Sequence, residues 1–115
     1  MVTPRLDATR GEVWVCARIP RPISIHPVVV LTSNRIARPL SAVTVALITG
    51  TTGPEETRVA LGPGSGLTKY DESYVDCTSL HTMDKSSLRR RMGRLDIREL
   101  ASVERAARRV LGLDG

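Results

Sequence analysis

Aromatic residues are scarce in this chain. Its 115 residues include one Trp, two Tyr and no Phe. A single-strand-binding surface built on a row of stacked aromatics is therefore not expected. Cysteine is scarce too. Cys16 and Cys77 are too few for a disulfide scaffold, and each sits in an apolar, strand-like run that suits a small buried hydrophobe. No stretch stays apolar for the ~18 residues a membrane helix needs. The first ten residues also lack the apolar centre of a signal peptide. The expectation is a cytoplasmic protein with no membrane partner. Acidic residues are outnumbered, 12 against 17 Lys and Arg, which leaves a net charge of +5. Arginine dominates the basic set, and a pI near 10 points to a polyanionic partner, either nucleic acid or an acidic protein segment. With so few rings, arginines and backbone donors would carry most nucleic-acid binding.

What is present suits one domain with one core. Hydrophobic content of 41% and charged content of 25% are ordinary for a globular chain. Residues 1–9 read as a flexible leader and 10–115 as the domain. The centre is Ile25-His26-Pro27-Val28-Val29-Val30-Leu31, a run of β-branched residues closed by Thr32-Ser33-Asn34. It reads as a buried strand ending in a turn, with Pro27 at its start, where a missing N–H does least harm. Val13–Ala17 precedes it as a strand whose weak alternation suggests cover on both faces. Between them, Arg18-Ile19-Pro20-Arg21-Pro22 is a stiff basic loop.

Further strands are expected over Val43–Ile48, over Thr57–Leu61 as a half-exposed edge, and over Ser73–Thr82. Ser33–Leu40 reads as a connection and Gly62–Leu67 as a turn. Asp84–Arg90 reads as a short capped helical turn, and Met92–Leu95 as a short last strand. The final element is the clearest. Asp96 and Glu99 form a capping-box pair, and Gly112 is a stop. Ile97, Leu100, Val103, Ala107, Val110 and Leu111 recur at helical spacing as one apolar stripe. Arg98, Arg105, Arg108 and Arg109 occupy the other side, and Glu104 can pair with Arg108 one turn on. Several short strands followed by one helix make an α+β domain with a curled sheet or barrel.

Four potential metal ligands, Cys16, His26, Cys77 and His81, do not group at a useful spacing. Cys77 and His81 on one strand would stand ~13 Å apart at ~3.3 Å per residue, too far to share an ion. The run Arg89-Arg90-Arg91 with Arg94 fits a phosphate-tracking patch and a solvated turn equally well.

Taken in order, four pieces of the chain resemble the MazF/PemK family of toxin endoribonucleases. Arg10-Gly11-Glu12-Val13-Trp14 is similar to the family's opening strand. His26-Pro27-Val28-Val29-Val30 is similar to its Arg-Pro-Val-Val-Val strand. Val45-Ala46-Leu47-Ile48-Thr49 is similar to the strand that ends in a catalytic Thr or Ser. Leu80-His81-Thr82-Met83-Asp84-Lys85, with Arg94-Leu95 and the final helix, is similar to its Ile-Arg-Thr-x-Asp-Lys half. The chain departs from the family at His26 and His81, where the family carries arginine.

The resemblance implies a small SH3-like β-barrel of the CcdB/PemK type with a C-terminal α-helix. It implies a homodimer that cleaves single-stranded RNA without a metal or other cofactor and is inhibited by a cognate antitoxin. It makes Thr49 a catalytic hydrogen-bond donor and sets His26 at the family's arginine position. An imidazole, with an ordinary pKa near ~6.5, can accept and return a proton at that position. His81 is a further candidate, as the second member of an acid–base pair. Arg18, Arg21, Ser33, Asn34 and Arg35, on either side of the central strand, are candidate RNA and phosphate ligands. The same fold type also serves gyrase poisons of the CcdB kind and inactive relatives that only bind RNA or an antitoxin.

Overall fold

A computed structural model describes residues 8–17, 26–68 and 72–113. Six strands form one antiparallel sheet: β1 (Glu12–Cys16), β2 (His26–Val30), β3 (Ala42–Thr49), β4 (Arg58–Leu61), β5 (Ser73–Asp84) and β6 (Leu88–Arg94). Their spatial order is β4-β5-β3-β2-β1-β6. The α+β class and the C-terminal helix are as expected. The barrel is not: β4 and β6 are edges, and among the described residues the ladder stays open. The curl is fastened by a backbone contact instead. A 3₁₀ turn at Pro63–Ser65, just past β4, reaches the end of β6. There a Cβ on Gly66 would stand 1.9 Å from the Met92 carbonyl oxygen, and one on Gly93 would stand 2.3 Å from that of Gly64. Only glycine permits that approach.

Both faces of the sheet are covered, which is why Val28-Val29-Val30 can be apolar throughout. Trp14, Cys16, Val28, Val30, Val43 and Val45 pack on one face with Leu88 and Ala37. Val13, Val29, Ala46, Ile48, Val75 and Cys77 pack on the other, under Val103 and Ala106 of α2 (Ile97–Leu111). Both cysteines are buried.

The capping box forms as read. The Glu99 N–H donates to Asp96 Oδ1 at 2.7 Å, and the Asp96 N–H donates to Glu99 Oε1 at 2.9 Å. The other carboxylate oxygen of Glu99 accepts from the Gly62 N–H at 2.6 Å, which ties the helix start to the exit of β4. Gly112 ends α2 with φ 70°.

Several expectations are corrected. Ile97 does not belong to the buried stripe; it is 88% exposed, because the first turn of α2 overhangs the sheet, and Val110 and Leu111 are exposed at the far end. Glu104 pairs with Arg10 rather than Arg108, since α2 lies against the chain entering β1. Ser33 leads into a one-turn helix, α1 (Asn34–Ala37). The helical turn after Asp84 stops at Ser87, and Leu88-Arg89-Arg90 is already β6, where Leu88 is buried opposite Cys16.

Candidate active site

A cleft of about 700 Å³ opens at the end of the sheet where β2 begins and β3 ends. Val15, Pro27, Ile48, Leu67 and Met92 give it apolar walls. His26, Thr49, Thr51, Thr68, Ser73 and Arg90 supply its polar side chains. Among the described residues no carboxylate lines it. A second groove of about 750 Å³ runs between α2 and the sheet, past Leu31, Leu80 and Leu111. It is slightly larger, but it holds none of the candidate site residues.

Sheet register brings His26 and Thr49 together. Val28 is paired with Leu47 across β2 and β3, and continuing that register by two residues sets His26 level with Thr49. The Thr51 N–H donates to Thr49 Oγ1 at 3.2 Å. A hydroxyl that accepts from an amide keeps its own proton for a further acceptor. Thr49 is thus held at the strand end by its own loop, able to donate.

Arg90 comes from the far edge. In β6 it pairs with Val15, which in turn pairs with Pro27. The strand carries two register shifts against β1, which leave Arg89 and Met92 as extra residues. Such bulges re-aim the side chains around them. They also divide the arginine run by role. Arg91 Nε is 2.9 Å from Glu12 Oε2. Glu12 is buried and also accepts from the Thr9 N–H at 2.6 Å and from Trp14 Nε1 at 3.3 Å. Arg94 Nη2 donates to Thr9 Oγ1 at 3.0 Å. Arg91 and Arg94 therefore brace the entry to β1, while Arg90 faces the cleft.

The other sequence candidates lie elsewhere. His81 is opposite Val45, nearer the start of β3, and does not line the cleft. Ser33, Asn34 and Arg35 follow the opposite end of β2 from His26, so they do not share its rim. Asn34 Oδ1 there accepts from the Arg10 N–H at 2.7 Å, a structural bond. Arg18 and Arg21 lie outside the described residues. In the sequence, Arg90 fits a phosphate patch and a solvated turn equally well, and nothing marks Ser73 or Met92 as cleft residues. Bulges in β6 break the alternation that would have shown which arginine turns inward.

The comparisons with known proteins bear on the family and the fold. The model of the PemK-like, MazF-like toxins of type II toxin–antitoxin systems matches residues 9–111. No curated protein is significantly similar to the chain. Among solved structures, an endoribonuclease in complex with its cognate antitoxin from a mycobacterial species is 26% identical. That match covers 91% of this chain and 95% of the other, with a TM-score of 0.80. The Mycobacterium tuberculosis toxin MazF-mt6 is 28% identical over 90% of this chain and 99% of its own, with a TM-score of 0.76. MazE–MazF from Deinococcus radiodurans, 17% identical over 91% and 96% of the two chains with a TM-score of 0.72, shares the fold. The match along nearly the whole chain settles the family: this protein belongs to the PemK-like, MazF-like toxins of type II toxin–antitoxin systems.

Proposed function

We propose that this toxin is an endoribonuclease that cleaves single-stranded RNA by attack of the substrate's own 2′-hydroxyl. The observation that carries the reading is that His26, Thr49 and Arg90 line one cleft, with no carboxylate among its described lining residues. His26 takes the 2′-hydroxyl proton as the 2′-oxygen bonds to phosphorus. The bond from phosphorus to the 5′-oxygen breaks, and the imidazolium returns a proton to that leaving oxygen. The products are a 2′,3′-cyclic phosphate and a 5′-hydroxyl. Thr49 donates to a non-bridging phosphate oxygen, and Arg90 supplies the positive charge that steadies the crowded phosphorus centre. The nucleophile belongs to the substrate, so the scheme uses no metal, and DNA, which lacks it, is spared. His81, away from the cleft, takes no part within one protomer.

The working toxin is proposed to be a cytoplasmic homodimer restrained by a cognate antitoxin. Support comes from the mycobacterial relative solved with its cognate antitoxin. Purified protein incubated with single-stranded RNA should yield discrete fragments ending in cyclic phosphate. His26→Ala should lower the rate at least about 100-fold with an unchanged thermal melt. The wild-type rate should vary between about pH 5 and pH 8, the range of an imidazole. Gyrase-dependent breaks in supercoiled DNA would replace the reading with a gyrase poison. RNA binding without fragments would leave an inactive binder, and full activity in His26→Ala would remove the imidazole from the chemistry.

A further inference from the structure

The chain has three aromatic residues, and one of them stands beside the proposed nuclease site. Trp14 is buried in the core, and Tyr70 lies outside the described residues. Tyr74, on β5, is only half-buried and is paired directly with Thr49 on β3. Directly opposed residues in an antiparallel pair point to the same face, with Cβ atoms roughly 4.5–5.5 Å apart. On its other flank Tyr74 is paired with Ala60 of β4, which is exposed and too short to cover a ring. Across three neighbouring strands, His26, Thr49 and Tyr74 stand in one row.

We propose that Tyr74 is a base-stacking platform that seats the nucleotide next to the scissile phosphate. The proposal rests on the ribonuclease reading given above. The geometry suits an unpaired base. A phosphate held at Thr49 has its flanking nucleotide within a few ångströms, and the partly exposed ring offers that nucleotide a π-face. The ring is tethered at its tip, where the Tyr74 hydroxyl donates to the Glu72 carboxylate. That hydrogen bond, with smaller contributions from burial and from the Glu72 charge, holds the phenol above its ordinary pKa. The phenol thus stays neutral at physiological pH, and the charge at its tip is that of the Glu72 carboxylate. Stacking is tolerant of base identity, so Tyr74 would set position and affinity more than sequence preference.

The test is a binding and cleavage cycle on the full chain. RNA oligonucleotides would carry one abasic nucleotide at each position around the cut. A matching set with a 2′-deoxy nucleotide at the cut would measure binding without cleavage. Tyr74→Ala should weaken binding about 10-fold and raise KM with little change in kcat, while Tyr74→Phe behaves as wild type. At one flanking position the abasic RNA should cost the wild type about 10-fold and cost Tyr74→Ala nothing further. Tyr74→Leu keeps apolar bulk without a π-face. It should fold, as judged by its melt, and still lose the coupling. Equal abasic penalties in wild type and Tyr74→Ala at every position would overturn the platform while leaving cleavage intact. Coupling without cleavage would support the platform and sink the nuclease reading.

Discussion

Asp76 shows how much one side chain can organise. Its carboxylate accepts from the Thr78 N–H at 3.0 Å, the Thr78 hydroxyl at 2.6 Å and the Ser79 hydroxyl at 3.0 Å, and it pairs with Arg58 at 2.6 Å. Burial alone would raise its pKa. The bonds from Thr78, Ser79 and Arg58 outweigh that, and the net shift is downward. A carboxyl lowered on folding contributes stability that is present above the unfolded carboxylate pKa and is lost as pH falls through the folded value. Asp76→Asn should therefore lose roughly 1.5–3 kcal/mol at neutral pH. Its deficit against wild type should shrink as denaturation curves are taken below the ordinary carboxylate range. An unchanged deficit there would mean that packing, not charge, holds this corner. Cys77, next in the chain, has its thiol pushed up to about 11, by burial first and by the Asp76 charge second. It remains a protonated core residue at neutral pH.

Among the elements, β5 and β6 decide the site. In β5 the pairing jumps from Ala46 opposite Leu80 to Leu47 opposite Asp76, so Cys77, Thr78 and Ser79 have no paired residue on β3. That jump sets Tyr74, and not a neighbour, across from Thr49. In β6 two bulges turn Met92 and Arg90 to the cleft. The glycine seam then fixes the outer wall, because Leu67 follows directly on the segment packed against Gly93. Gly93→Ala should destabilise by at least about 1–3 kcal/mol, since relieving the overlap demands a strained backbone. It should also impair cleavage, with weaker RNA binding. A variant with wild-type melt and wild-type activity would show that the seam is not what holds the wall.

For the whole molecule, charge is the relevant quantity. A net charge of +5 on 115 residues is modest, and several arginines are committed to internal pairs, as Arg58 and Arg91 are. Binding of single-stranded RNA should weaken steadily with salt, and Arg90→Ala should flatten the log–log slope by about 0.7 for the one phosphate contact removed. A slope that stays the same would place Arg90 off the RNA path. The described residues contain no helix long and apolar enough to cross a membrane.

The sequence alone determined whatever depends on near neighbours along the chain. The ends of α2 follow from Asp96, Glu99 and Gly112, and β2 follows from its valine run. The family resemblance follows from motifs read in order, as does the naming of His26 and Thr49. Tertiary structure decided what those residues meet. Register and bulges are set by contacts between strands far apart in sequence, and neither propensity nor spacing records them. That is why Arg90 and Tyr74 stand at the cleft or beside it, while His81, Ser33, Asn34 and Arg35 lie away from it within one protomer. It is also why the open sheet is fastened at Gly66 and Gly93 rather than by a ladder of hydrogen bonds.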